Sequence, residues 1–139
     1  MKPIWIVDDD QSIRFVLEKA LLRENLPTRS FTNPQDVLTA LAEPGDTILG
    51  MALEQGGHLA HGRVEAFTEA NYKAIRYGTT SQGEIDYAEV RQLAMAHRPR
   101  IIICGATAHS RVVDFQRFRA IADKCGALLM APGAIAADK

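Results

Sequence analysis

The sequence predicts an α/β fold: a three-layer α/β/α domain, flavodoxin-like or Rossmann-like, with a mostly parallel sheet of about six strands. Three observations predict it. Short apolar runs alternate with helix-period segments along the whole chain. The segments between those runs are too long for hairpins and long enough for crossover helices. The densest apolar run, Ile101-Ile102-Ile103, lacks a polar face, as a strand covered on both sides requires.

Ile4–Val7 reads as the first buried strand, ending in three aspartates. Ile13, Val16, Leu17, Ala20 and Leu21 recur at helical spacing, which predicts a helix over Gln11–Arg23. Pro27 ends that segment, and Thr28–Phe31 forms the second strand. Asn33-Pro34 is a helix start, with Asn as cap and Pro at the first helical position. Asp36 places negative charge in the first turn, where the helix dipole favours it. Val37, Leu38 and Leu41 form the apolar stripe, and Pro44-Gly45 stops the helix. Thr47–Met51 is the third strand.

Gly56-Gly57 breaks the pattern, and residues 58–62 form at most one helical turn. Residues 72–77 form the fourth strand, followed by a polar loop over 78–83. Asp86 and Glu89 match a variant capping box opening a helix with Val90, Leu93 and Ala94, which Pro99 stops. The fifth strand lies within 100–105. Phe115, Phe118, Ile121, Ala122 and Cys125 define the last helix, with Gly126 as its C′ residue. Residues 127–130 are the sixth strand, and the Ala-rich tail 132–139 forms a short helix or frays.

The 139 residues fit one domain, and the core is large enough to need no disulfide or metal. Hydrophobic residues make up 47% and charged residues 24%, with net charge −1 and no basic stripe. This composition excludes a nucleic-acid footprint. No apolar run reaches membrane-spanning length, and Met1-Lys2-Pro3 enters directly into a strand without a signal peptide. Cys104 and Cys125 lie in apolar stretches and read as core residues of a reducing compartment. The expectation is a cytoplasmic protein, expressed recombinantly, with no required partner, nucleic acid or membrane. Monomer is the expected state, with self-association as the alternative if an apolar surface is exposed.

Trp5-Ile6-Val7-Asp8-Asp9-Asp10-Gln11-Ser12-Ile13-Arg14, continuing through Val16-Leu17-Glu18-Lys19-Ala20-Leu21 to about residue 42, resembles receiver domains of the nitrogen-regulatory response-regulator family. Carboxylates at the carboxyl end of a parallel strand border the sheet's crevice and can hold Mg²⁺ with waters. The resemblance implies Asp9 and Asp10 as metal-holding acids. The family's phosphorylated aspartate falls on Met51 or Ala52, neither of which has an oxygen nucleophile. The alternative role for the acids is structural: Asp10 caps the first helix, and Asp8 and Asp9 favour its positive end.

A second set of segments is similar to serine hydroxymethyltransferase. These are Glu43-Pro44-Gly45-Asp46-Thr47-Ile48-Leu49-Gly50-Met51, Gly56-Gly57-His58-Leu59-Ala60-His61-Gly62, Gly83-Glu84-Ile85-Asp86-Tyr87 and Gly105-Ala106-Thr107-Ala108-His109-Ser110-Arg111. The match continues to Leu129-Met130. The resemblance implies that His58 stacks on the ring of pyridoxal phosphate and that Thr107 hydrogen-bonds near the cofactor's phenolic oxygen. The family's aspartate for the pyridinium nitrogen falls on Pro132, and Lys73, Lys124 and Lys139 do not stand in its Schiff-base motif. Ala52, Glu54 and Gln55 also depart from the usual residues. A Zn²⁺ site of Glu54, His58 and His61 would need one continuous helix, which Gly56-Gly57 opposes.

Together the resemblances imply one α/β domain with a receiver-like part (1–43), a pyridoxal-enzyme-like part (44–131) and a tail. They imply an engineered chimera that serves as a fold-recombination scaffold and is not an enzyme, with no cofactor held more than weakly. The alternative function is a weak ligand-binding module, with Mg²⁺ at the acidic pair or a phosphate or pyridoxal-type ligand near His58 and Thr107. The two parental strand orders conflict around the third strand. The larger fragment is expected to keep its own order, with the third strand between the fourth and fifth and the first two strands added beyond the sixth.

Overall fold

The computed structural model describes residues 2–7, 10–32, 34–51, 72–104 and 113–132. In chain order the elements are β1 (Ile4–Val7), α1 (Gln11–Arg23), β2 (Thr28–Phe31), α2 (Pro34–Leu41), β3 (Thr47–Met51), β4 (Lys73–Tyr77), α3 (Tyr87–His97), β5 (Ile101–Ile103), α4 (Phe115–Cys125) and β6 (Leu128–Pro132). The six strands form one sheet in the order β2-β1-β6-β5-β3-β4, and every pairing is parallel. β3 therefore lies between β4 and β5, and β1 joins the sheet against β6. The expected cap Asn33, the Gly56-Gly57 segment and the tail beyond Pro132 lie outside the described residues.

Strand alternation divides the core into two layers. Ile4, Ile6, Leu49, Ile102, Leu129 and Ala131 point to one face, where Leu17 and Leu21 of α1, Val90 and Ala94 of α3, and Phe118, Ile121 and Ala122 of α4 cover them. Val7, Ile48, Ile101, Ile103 and Met130 point to the other face and pack with Leu41 and Ala42 at the end of α2. Right-handed crossovers explain this division. The steps β1→β2, β4→β5 and β5→β6 run in one direction across the sheet, and β2→β3 runs in the opposite direction. All three residues of β5 are buried. Each isoleucine there contributes about 1.5–3 kcal/mol by removal from water.

The turn between α2 and β3 is a type II turn. Pro44 supplies its second position and Gly45, at φ 92°, its third, where only glycine is unstrained. Asp46 N–H donates to the Glu43 carbonyl at 3.0 Å, and the Asp46 carboxylate accepts from Glu43 N–H at 2.8 Å. Arg100 joins the two sides of this turn. Its Nε donates to the Leu41 carbonyl at the end of α2 (2.7 Å), and its backbone N–H donates to the Thr47 carbonyl (2.8 Å).

Arg119 is the one polar residue among the described buried side chains, at 2% exposure. Its guanidinium donates to the carbonyls of Lys2 (3.0 Å) and Ala127 (3.5 Å) and pairs with Asp123 at 2.9 Å. It thereby ties α4 to the chain entering β1 and to the chain entering β6. Gly126 ends α4 in the left-handed conformation (φ 77°), as its place after the apolar stripe predicts.

Candidate functional site

In a parallel sheet, ligands bind at the carboxyl ends of strands where the direction of strand addition reverses. Here the reversal lies between β3 and β5. From β3 the chain moves outward to β4, and from β5 it moves inward to β6. The segment carrying His58 begins at the carboxyl end of β3, and the segment carrying Thr107 follows the carboxyl end of β5. Both residues lie outside the described residues, as do Asp9, Glu54 and His61.

The described floor of this crevice has a definite construction. β3 and β4 pair over five residues, but β3 and β5 pair only at Ile48↔Ile101 and Leu49↔Ile102. No ladder pair joins β3 to β5 beyond these two, so the Ile103 carbonyl has no ladder partner on β3. Tyr77, at the end of β4 and fully buried, donates its hydroxyl to that carbonyl at 2.8 Å. Its ring packs on Phe118, with centroids 6.0 Å apart.

Two helix starts border the same edge. Asp86 caps α3 by accepting from Glu89 N–H, and Asp114 caps α4 by accepting from Arg117 N–H, both at 3.1 Å. The expected capping box forms only in part. Glu89 accepts instead from Gly78 N–H at 2.6 Å, the first amide beyond β4, and Asp86 N–H goes to the Gly78 carbonyl. The Tyr87 hydroxyl accepts from Asp114 N–H at 2.7 Å, and the Arg117 guanidinium lies 4.6 Å over the Tyr87 ring. Burial raises the Tyr87 pKa above the ordinary phenol value, against the opposing pull of the Asp114 N–H. Aspartates already occupy these helix N-termini, so neither presents a free anion site there.

Cys104 follows β5 and is fully buried, with its N–H on the Met130 carbonyl at 2.9 Å. Burial raises its thiol pKa strongly, and the Arg119 charge offsets only part of this. It is a neutral packing residue rather than a nucleophile. Cys104 and Cys125 are both free thiols. Asp10 is exposed at the start of α1, and its Oδ1 accepts from Ser12 N–H at 2.8 Å, the capping contact that is one of its two expected roles. Among the described residues no group of three or more His, Cys, Asp or Glu could hold a metal ion, and no helix is long and apolar enough to cross a membrane.

Pro132 ends β6, in register with Val7 of β1. The position that the resemblance assigns to the partner of the pyridinium nitrogen is therefore a proline at a strand end. The residues present do not fit that part of pyridoxal phosphate. Sequence reasoning named His58 and Thr107, which lie outside the described residues, and missed Tyr77. Its only visible signal was a tyrosine closing the short strand Lys73–Tyr77.

Comparison with known proteins identifies the family. The serine hydroxymethyltransferase family model matches residues 15–137. The serine hydroxymethyltransferase of Acinetobacter baumannii strain ATCC 17978 is 56% identical over 94 residues, covering 67% of this chain and 22% of that protein. The enzyme of Dichelobacter nodosus is 56% identical over 94 residues (68% and 22%), and that of Acinetobacter radioresistens 55% over 94 (67% and 22%). The chain thus spans about a fifth of the length of these curated relatives. The family match also reaches back across α1, β2 and α2, which the sequence reading assigned to a receiver-like part. These matches overturn two expectations, that the chain is a scaffold designed without catalytic role and that it is not an enzyme sequence. The family match covers β2 to β6 in full. The chain belongs to the serine hydroxymethyltransferase family.

Proposed function

We propose that this chain is the ring-facing region of a hydroxymethyltransferase-type site, and that the crevice between β3 and β5 receives a pyridoxal phosphate ring without a covalent bond to the protein. His58 lies against the ring, and Thr107 hydrogen-bonds near its phenolic oxygen. One observation supports the reading: the segments bearing these two residues attach to adjacent strands at the one place where strand addition reverses between them. In this family the cofactor supplies an electron sink for amino-acid chemistry, a role that Pro132 at the ring-nitrogen position does not support here. This chain's contribution is to bind and orient the ring. Hydroxymethyl transfer is the activity that family membership proposes for the whole enzyme. A cytosolic setting suits the two free thiols.

The test mixes the full chain with pyridoxal phosphate and follows the cofactor's visible absorbance together with Trp5 fluorescence. A shifted absorbance that His58→Ala and Thr107→Ala each weaken about tenfold or more is expected. Spectra identical to the free cofactor refute the reading. So does a shift that both substitutions leave unchanged, because adventitious imines at surface lysines give that result. Serine cleavage with added folate measures the transferase proposal separately.

The opening segment supports a second role. The family match begins at residue 15, after the acidic run 8–10, and the resemblance of that run is to metal-binding receiver domains. The proposed ligand of Asp9 and Asp10 is Mg²⁺. Trp5 is the only tryptophan and lies three residues before the run, so its fluorescence reports the metal. Unchanged emission at millimolar Mg²⁺ removes this role.

A further inference from the structure

Among the described residues, β2 is the outer edge of the sheet on the β1 side. Ile4 N–H donates to the Pro27 carbonyl at 2.9 Å, which turns residues 27, 29 and 31 towards β1. Alternation then directs the N–H and C=O groups of Thr28 and Ser30 outward. Two open grooves follow this edge. One, of about 530 Å³, is lined by Pro3, Pro27 and Arg29, and the other, of about 480 Å³, by Phe15, Glu18 and Thr32; Thr28 or Ser30 lines each. Beside the edge, α1 leaves Phe15 57% and Leu22 66% exposed. They lie two turns apart and so share a helix face. No proline or bulge interrupts β2 itself, so the edge has little protection against pairing.

We propose that β2 pairs antiparallel with β2 of a second copy of this chain, about a two-fold axis through Ser30. The argument for a second copy is self-complementarity. A two-fold axis perpendicular to the sheet keeps each face on its own side, so facing residues must share parity. Two registers are centred on the strand. One sets Arg29 against Arg29 of the second copy and Pro27, which lacks an N–H, against Phe31. Like charges then meet at a close, non-hydrogen-bonded pair.

The other register sets Ser30 against Ser30 as a hydrogen-bonded pair and Thr28 against Thr32. It brings Arg29 over Phe31 of the second copy, a cation against an aromatic face. Phe31 already stacks on Trp5 there, with centroids 5.2 Å apart. Every outward amide from Thr28 to Thr32 then finds a partner, giving about six backbone hydrogen bonds across the join. On the opposite face the two α1 helices flank the seam with Phe15 and Leu22. The result is a continuous twelve-strand sheet, twice the six of one copy.

The test is sedimentation of the full chain over about a hundredfold range of concentration, with a concentration-dependent dimer expected. Ser30→Pro removes an outward N–H without breaking the β1–β2 ladder and shifts the midpoint of dimerisation at least tenfold, with circular dichroism unchanged. Because that variant also removes the contact between Ser30 and Glu18 and can unfold, Ser30→Cys serves as an independent measure. Facing Cα atoms about 5.5 Å apart in a hydrogen-bonded pair lie within disulfide reach, so mild oxidation gives a cross-linked dimer in Ser30→Cys and not in the parent. Monomer at every concentration overturns the proposal. A dimer that survives Ser30→Pro, or that fails to cross-link through Ser30→Cys, uses another surface and overturns it equally.

Discussion

Replacing Tyr77 by Phe removes one oxygen and tests the account of the short β3–β5 ladder. The ring stays where it packs on Phe118, so little cavity is created. What is lost is the 2.8 Å bond to the Ile103 carbonyl, which β3 does not satisfy. Stranding a buried carbonyl costs about 1–3 kcal/mol. Taking about 1.5 kcal/mol, and an unfolding entropy of about 0.29 kcal/mol/K for a chain of this size, the midpoint of thermal unfolding falls by about 5 °C. In urea the midpoint falls by about 0.5–1 M at an unchanged slope. Trp5 fluorescence and far-ultraviolet circular dichroism report the transition. An unchanged midpoint in both denaturants would show that the carbonyl is otherwise satisfied, and that the hydroxyl does not close the crevice floor.

Two further outcomes follow from buried groups. Arg119→Met leaves the Lys2 and Ala127 carbonyls without their donor and should cost about 2–4 kcal/mol in urea unfolding. Arg119→Lys should recover little, because an ammonium cannot reproduce the fork. A methionine variant as stable as the parent would sink this, since buried ion pairs are sometimes replaced by hydrophobes without loss. The second outcome concerns Cys104, whose burial raises its pKa in the folded state. The proton is then held more tightly folded than unfolded. The stability linked to it is complete below the ordinary thiol pKa and declines as pH rises above it, by up to about 1.4 kcal/mol per pH unit. Tyr87, raised in the same direction, adds to the decline above the ordinary phenol value. Cys104→Ala should flatten the stability profile between about pH 8.5 and 9.5, where the phenol is still mostly protonated in both states. An equally steep profile in that window would show that another group is responsible.

The predicted elements agree with the structure where the periodic signal is local. α1, β2 and β3 match residue for residue, and α3 starts at its predicted aspartate cap. Differences occur at ends. β4 begins at Lys73 rather than at residue 72, and β6 extends to Pro132 because β1 lies alongside and pairs with it through Val7. A partner distant in sequence decides where a strand stops, so local pattern cannot. The site divides in the same way. Asp10 as a cap and Asp86 before an apolar stripe are legible from spacing. Arg119 is not, because it sits on a helix among other charged residues and only the approach of Lys2 and Ala127 makes it interior.

Composition, periodicity and turn chemistry determined a parallel α/β sheet, its strands and helices, and the Pro44-Gly45 turn, because each depends on residues within a few positions of one another. The motif strings around His58 and Thr107 determined the family for the same reason. The tertiary structure decided how β1 joins β6, where the β3–β5 ladder ends, that Tyr77 reaches the Ile103 carbonyl, and that β2 is left as an edge. These depend on which strands lie side by side. Adjacency in a parallel sheet is set by burial of both faces at once and by crossover handedness, and neither is written in any single stretch of chain.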